Sequence, residues 1–426
     1  MRRIGAFPAA ILPLLLRAQA DPDGLLRQAR TRIAEDLAKL PKYTCVQSIQ
    51  RARYELFYGT RPKRCGEVAK SRGAREQARL LLVWTDRFKL DVTVSEGTEI
   101  FSWAGARQFQ SEDVQDIIGG GLTGSGDFGP FLMDIFGTPS PEYRYAGLDR
   151  SSGDPVAVYQ YRIAATASHY QIKTGPRAGD TAILAFEGSF SIDAQTGVLR
   201  RLTIIVPDPP ARSETCRIET EIDYKPVAIA GTPVVLPQST LLKLWDPDGS
   251  RYENRIEYAG CRAFQSESVF RPEVEGAAAD TASASSAPRA ATQLPAGLTL
   301  HIALRTPIDM QTAAGGDPVE GRLEEEIRGP TGLIASRGAT VHGRVVRAER
   351  HFVPGSFFAL GLRFESVVAG GAEIPLALEP VPHSTEARTL TEPLKGQGIG
   401  MFVFHGDPRT IEDLESEWRT TGRLTP

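Results

Sequence analysis

The sequence predicts a mainly β (α+β) protein: one N-terminal helix on a curved antiparallel half-barrel sheet, then a small second β-barrel or sandwich domain. Three observations predict it. Gly (41) and Pro (30) are too frequent for a helical protein and suit one rich in strands and turns. Segments of strictly alternating apolar and polar residues recur along the chain, as half-buried strands require. These segments follow one another with short connections and no intervening helices, which means antiparallel pairing.

The 426 residues suffice for about two or three domains, each able to bury a core. With 41% hydrophobic and 24% charged residues the composition is ordinary for a globular protein. Lys and Arg number 49 against 52 Asp and Glu, a net charge of −3. That balance excludes a broadly cationic nucleic-acid or anionic-membrane binder.

Residues 1–20 read as a secretory signal peptide. Arg2 and Arg3 are the charged start, Ile4 to Leu16 is apolar, and Ala18-Gln19-Ala20 supplies small residues for cleavage. The apolar run is too short for a bilayer of ~30 Å, and no later stretch offers a transmembrane span. The mature chain then begins at Asp21 and is periplasmic or secreted. An uncleaved membrane anchor is the competing reading.

Export gives the four cysteines a structural meaning, because disulfides persist in oxidising compartments. Cys45, Cys65, Cys216 and Cys261 allow three pairings. Cys45–Cys65 and Cys216–Cys261 are favoured, since each joins neighbouring segments able to form adjacent strands. No CxxC or HxxxH spacing supports a metal site.

Residues 25–40 predict an amphipathic helix, with Leu26, Ala29, Ile33, Leu37 and Leu40 at spacings of three and four and Pro41 ending it. Strands follow. Arg87 to Val94 alternates strictly, Ser95-Glu96-Gly97 turns, and Thr98 to Trp103 returns. Ala182–Ile192 and Val198–Val206 flank the turn Asp193-Ala194-Gln195-Thr196-Gly197. Cys216–Tyr224, Val234–Leu236, Leu241–Trp245 and Ser250–Tyr258 continue the pattern. Together they make a first domain over 21–270 with two disulfides. An Ala/Ser/Pro linker over 271–294 has no apolar bulk for a core. A small second β domain over 295–383 contains the alternating runs Leu298 to Arg305 and Phe358 to Glu365. A tail over 384–426 is glycine-rich around Gly396–Gly400 and then helical from Thr410 to Trp418.

Little in the chain reads as catalytic chemistry. Gly124-Ser125-Gly126-Asp127-Phe128-Gly129 is formally GxGxxG but lacks the βαβ unit of a dinucleotide site, so it reads as a flexible loop before a short helix. Neither a P-loop nor a GxSxG elbow occurs. His169, His301, His342, His351, His383 and His405 are scattered. His301 and His342 fall on the polar side of strands, where solvated imidazole is the default. His405-Gly406-Asp407 has no ligand spacing, and Glu324-Glu325-Glu326 reads as a solvated face. No catalytic residue, cofactor or metal is assigned.

The apolar face of the first domain is the candidate site. Phe88, Leu90, Val92, Val94, Phe101 and Trp103 project to one side of consecutive strands. Either they meet the N-terminal helix in a closed core, or the sheet curves and leaves them lining a cavity for a lipid or acyl chain.

The helix, the "DRFKLDVTV" strand, the "IDAQTGVLRRLTI" hairpin and "IDYKPVAIAGTPVVLPQS" make the first domain resemble the LolA-like outer-membrane lipoprotein-sorting superfamily. That resemblance implies a sheet curled around a hydrophobic cavity closed by helices, and a carrier role. The stretch from "LPAGLTLHIALRTPIDMQTAAGGDPVEGRL" to "GATVHGRVV" is similar to β-barrel domains of envelope-spanning conjugal-transfer scaffold proteins, with a "GD" loop and a turn from Gly338 to Gly343. This implies an assembly role. The sequence therefore points to a non-enzymatic exported cell-envelope protein binding an apolar ligand or a lipoprotein. A structural or assembly module with an envelope protein partner is the alternative, and a secreted hydrolase with an unrecognised site is the second.

Overall fold

The structure, a computed structural model, describes residues 21–39, 42–57, 64–70, 80–95, 98–106, 111, 114–118, 124, 126–151, 153–174, 180–264, 294–329, 332–381, 398–406 and 409–422. The expected signal peptide, the linker up to residue 293, the first part of the tail and His383 lie outside the described residues. So do Ser125, Asp407 and the Glu96-Gly97 turn.

The predicted helix is present as α1 (Pro22–Lys39), and α2 (Cys65–Lys70) follows. Among the described residues twelve strands make the first part of the chain. They are β1 (Tyr43–Leu56), β2 (Leu80–Ser95), β3 (Thr98–Trp103), β4 (Glu142–Asp149), β5 (Val156–Ile163) and β6 (Gln171–Lys173). Then come β7 (Thr181–Ile183), β8 (Phe186–Asp193), β9 (Leu199–Val206), β10 (Arg217–Ile229), β11 (Thr232–Trp245) and β12 (Arg251–Ala263). Ten of them pair antiparallel in the order β3-β2-β1-β12-β11-β10-β9-β8-β5-β4. The expected pieces Val234–Leu236 and Leu241–Trp245 belong to one strand, β11. A register shift against Asp223 and Tyr224 carries that strand past Pro237, which has no N–H to give the ladder.

Short helices lie between β3 and β4: α3 (Val114–Ile118) and α4 (Pro130–Leu132), the latter running into a π turn at Met133–Gly137. Leu25, Ala29 and Ile33 of α1 pack with Leu132, Ile135 and Leu199. Arg30 ties α1 to the end of the π turn, donating to the Phe136 and Thr138 carbonyls. The gap left between Ile33, Leu37, Leu132, Val198 and Val235 is about 20 Å³, room for about one water. The space directly under α1 is therefore filled.

The disulfides join Cys45 to Cys261 and Cys65 to Cys216. This corrects the expected pairing of neighbours. Cys45 stands on β1 and Cys261 on β12, which are hydrogen-bonded to each other although 216 residues separate the two cysteines. Sequence proximity was a poor guide because the sheet brings its first and last long strands together.

The second part runs through β13 (Thr299–Leu304), β14 (Ile308–Asp309), β15 (Pro318–Leu323), β16 (Ile327–Gly329), β17 (Gly332–Ala335) and β18 (Thr340–His351). It continues with β19 (Phe357–Ala369), β20 (Ala372–Pro375), β21 (Leu378–Pro380), β22 (Gly400–His405), β23 (Thr410–Ile411) and β24 (Glu415–Thr420). The pairings run β19-β18-β15-β13-β24-β21, and β20 returns to β19. Leu300, Ile302, Leu304, Phe358, Leu362 and Phe364 point into its core, as their alternation predicts.

The tail differs from expectation. Thr410 to Trp418 is not helical; Glu415–Thr420 is a strand on β13. Its period is two, with Ser416, Trp418 and Thr420 buried and Glu415 and Arg419 exposed. Trp418 is fully enclosed, and its indole N–H donates to Ser416 Oγ at 2.9 Å. Residues beyond 383 thus complete the second core.

The two parts are sewn together. Glu349, Arg350 and His351 of β18 pair with Asp86, Thr85 and Trp84 of β2. The Lys89 and Gly315 N–H groups donate to the Gly315 and Arg87 carbonyls, and Lys89 Nζ meets Asp317 Oδ1 at 2.6 Å. Among the described residues no helix is long and apolar enough to cross a membrane.

Candidate functional site

All six residues of the predicted apolar face are buried, at most 6% exposed. They pack with Tyr43, Val114, Ile118, Phe128 and Val346. The N-terminal helix is not their cover, because α1 packs on the other half of the sheet. A Cβ added to Gly315 would lie 2.8 Å from Phe88 Cδ1 and 3.1 Å from Trp103 Cζ3, so the second part of the chain closes that end of the face.

Between the two apolar halves lies a polar centre that is absent from the expectations drawn from the sequence. Glu99 shares the inward parity of Phe101 and Trp103, so the alternation that buries those rings also turns a carboxylate inward. Facing it is the turn Gly126-Asp127-Phe128, taken from the GxGxxG stretch. Gly126 has φ +100°, a conformation that glycine adopts without steric cost. Its N–H donates to both Glu99 oxygens, at 3.0 and 3.1 Å, and the Phe128 N–H lies 3.5 Å from Oε1. Asp127, only 2% exposed, accepts from Thr240 Oγ1 and the Tyr258 hydroxyl, each at 2.6 Å on Oδ2. The Tyr224 hydroxyl donates to the Asp127 carbonyl at 2.9 Å.

Burial dominates the electrostatics here. It pushes the Glu99 carboxyl up to about 7, with repulsion from Asp127 adding to the rise and the two backbone N–H groups opposing it. Part of the Glu99 residue remains accessible, but its carboxyl is desolvated. The Asp127 carboxyl is also raised by burial, against the pull of its two hydroxyl donors. Burial raises the Tyr43 and Tyr258 phenols as well, with nearby carboxylates adding to it. Clustered groups displaced in this way mark functional sites more often than bare cores do.

This shift has a measurable consequence. Folded Glu99 holds its proton above the unfolded value of 4.5, so its contribution is intact below that value and lost as pH rises through about 7. In urea unfolding, Glu99→Gln is expected to gain on the wild type by about 3 kcal/mol between about pH 5 and pH 8. Parallel stability curves for the two proteins would contradict the assignment.

A second constellation joins His169 to Asp134. The imidazole Nδ1 lies 2.5 Å from Asp134 Oδ1, and the His169 backbone N–H donates to Oδ2 at 2.9 Å. Asp134 is buried in the π turn, the ring is exposed, and the hydrogen bond to Asp134 raises the imidazole. No nucleophile is placed on its other nitrogen among the described residues, so the pair orients an imidazole without completing a triad. His301 and His342 sit half-buried on strands, and His351 stacks on Phe357 at 4.2 Å. Glu324 and Glu326 pair with Arg322 and Arg328 on the surface. Among the described residues no group of three or more His, Cys, Asp or Glu is placed to hold a metal ion.

No family model and no curated protein matches the chain. Two solved structures are similar to it. One is a LolA superfamily protein from Nitrosomonas europaea, with TM-score 0.25 and 8% identity over 57% of this chain and 94% of that one. The other is a DUF1329 family protein from Desulfovibrio piger, with TM-score 0.20 and 11% identity over 57% and 92%. Likenesses of this size carry no argument about function. None of these comparisons supports the resemblance of the second part to conjugal-transfer scaffold proteins.

Proposed function

We propose that the chain is an exported, non-enzymatic cell-envelope protein that binds an apolar ligand, a lipid or acyl chain, within its first domain. The observation that carries this reading is how the inner face of the sheet is covered. Between α1, which covers one half, and the Gly315 loop, which closes the far end, only helices of five and three residues, a π turn and the inserted turn at Asp127 lie over it. Each helix and the π turn is anchored through a few buried side chains, Val114 and Ile118, Phe131 and Leu132, Ile135 and Phe136. A cover made of such short pieces opens locally at less cost than global unfolding. The two disulfides fit an exported protein. In this reading residues 21–270 are one domain, and the part after the linker is a small β-barrel serving as an interaction module.

A second reading is a structural or assembly module, and β4 favours it. Among the described residues β4 pairs only with β5, and it exposes Tyr145 and Leu148. An open strand edge of this kind is a template for another chain.

Mass spectrometry of solvent extracts of the purified full chain, with titration of a fluorescent neutral acyl ester, tests the first reading. Co-purified lipid or saturable uptake of the ester is expected. A protein that carries neither overturns it.

A further inference from the structure

The turn Gly126–Phe128 is held in the way a bound molecule is held. Its one carboxylate is grasped by two hydroxyls from different strands, Thr240 on β11 and Tyr258 on β12. Its carbonyl is grasped by a third, Tyr224 on β10, and its N–H groups by Glu99 on β3. The Phe128 ring is wedged edge-on between Tyr258, with centroids 4.8 Å apart, and Tyr43, at 5.8 Å. That ring belongs to the same packed cluster as Leu90, Val92, Val94 and Phe101. A polar head and an apolar body, joined by one short connection, fill the polar centre and the adjoining apolar face together.

The interior also keeps hydrogen-bonding capacity that the turn does not use. The Tyr43 hydroxyl and Gln47 Oε1 are both buried on the inner face of β1 without a partner among the described residues. Gln47 stands in register with Tyr258 on one side and Leu90 on the other, beside the turn. Leaving such groups unmade costs about 1–3 kcal/mol each, a cost that a larger occupant with its own polar atoms would relieve.

We propose that the Gly126–Phe128 turn is a built-in stopper standing where a long-chain carboxylic acid binds once the turn is withdrawn. This rests on the reading of the first domain as an apolar-ligand binder and names the ligand class. The acid's head takes the place of the Asp127 carboxyl on Thr240 and Tyr258, and its chain takes the place of the Phe128 ring against Val92, Val94 and Phe101. The choice of head follows from the donors. Asp127 is held by hydroxyls, and among the described residues no Lys or Arg contributes to its balance, while burial favours its protonated form. A carboxylic acid can enter such a place un-ionised. A phosphate cannot shed its charge and would be left buried without a counter-ion.

The test uses the full chain and a fluorescent polyene fatty acid, with its methyl ester as the neutral counterpart. Asp127→Ala combined with Phe128→Ala empties the stopper. This variant is expected to bind the acid about ten-fold more tightly than the wild type and to prefer it about ten-fold over the ester. Adding Tyr258→Phe is expected to erase that preference while leaving ester binding in place. Equal binding of acid and ester by the opened variant overturns the stopper's head-group assignment but leaves the apolar-ligand reading standing; binding of neither overturns both. Phe128→Leu covers the case in which the double variant fails to fold. An affinity for the acid no higher than the wild type's in that variant overturns the proposal equally.

Discussion

Replacing Cys45 and Cys261 by serine is expected to cost about 5 kcal/mol in urea unfolding, and replacing Cys65 and Cys216 nearly as much. The two bridges close separations of 216 and 151 residues. In the chain-entropy argument a cross-link restricts the unfolded ensemble more as its loop lengthens, so these bridges outweigh ones between neighbours. The first clamps β1 against β12, the third and fourth strands in the order of ten. The second pins α2 to the start of β10, where Val68, Cys216 and Trp245 form a small cluster of their own. Domains have about 5–15 kcal/mol in reserve, so loss of both bridges is expected to leave the first sheet unfolded at ordinary temperature. Peptide mapping without reduction checks the connectivity. A Cys45–Cys65 peptide, or a loss below about 1 kcal/mol for each pair, would contradict this account.

What was legible in the sequence was local. Helix α1 was marked by its spacing of three and four and by Pro41, and the strand faces by alternation, because both record which side of an element meets the core. What was not legible depends on contacts between distant segments. The pairing of β1 with β12 leaves no local trace, so the cysteine connectivity was misjudged. The tail looked helical because Glu412, Leu414, Glu415 and Glu417 are good helix formers. Trp418 and the parity of Ser416 and Thr420 decided for a strand, through burial against β13. The polar centre was half-visible. Glu99 stood at an inward position beside Phe101 and Trp103, a charge where the pattern called for an apolar residue. Its partner Asp127 lay in a glycine-rich stretch without periodicity, and nothing there signals that the turn points inward. The pairing of His169 with Asp134 is likewise purely spatial.

Arg51→Ala is expected to cost about 3–5 kcal/mol and to split thermal unfolding into two transitions. Arg51 and Asp86 face each other on β1 and β2, with side chains 7% and 1% exposed. Arg51 Nε donates to Asp86 Oδ1 at 2.9 Å, and its guanidinium lies 4.8 Å from the Phe88 ring centre. Burial raises the Asp86 carboxyl even with Arg51 beside it, so removal of the guanidinium leaves a desolvated acid with Glu349 opposite. Breaking one side of a buried pair is the costly change; replacing both sides is not. Arg51→Met together with Asp86→Leu should therefore recover most of the lost stability. The place of the pair gives the second half of the expectation. Asp86 is one of three β2 residues hydrogen-bonded to β18, and Gly315 and Gly316 dock just beyond, where a Cβ on Gly316 would sit 2.3 Å from the Lys89 carbonyl oxygen. That short seam, with Lys89–Asp317 beside it, is where the first sheet meets the second core. Weakening it should let the second part outlast the first, or the reverse, in calorimetry. A single transition in Arg51→Ala, lowered or not, would mean that the docked Gly315–Asp317 loop couples the two parts without help from the buried ion pair.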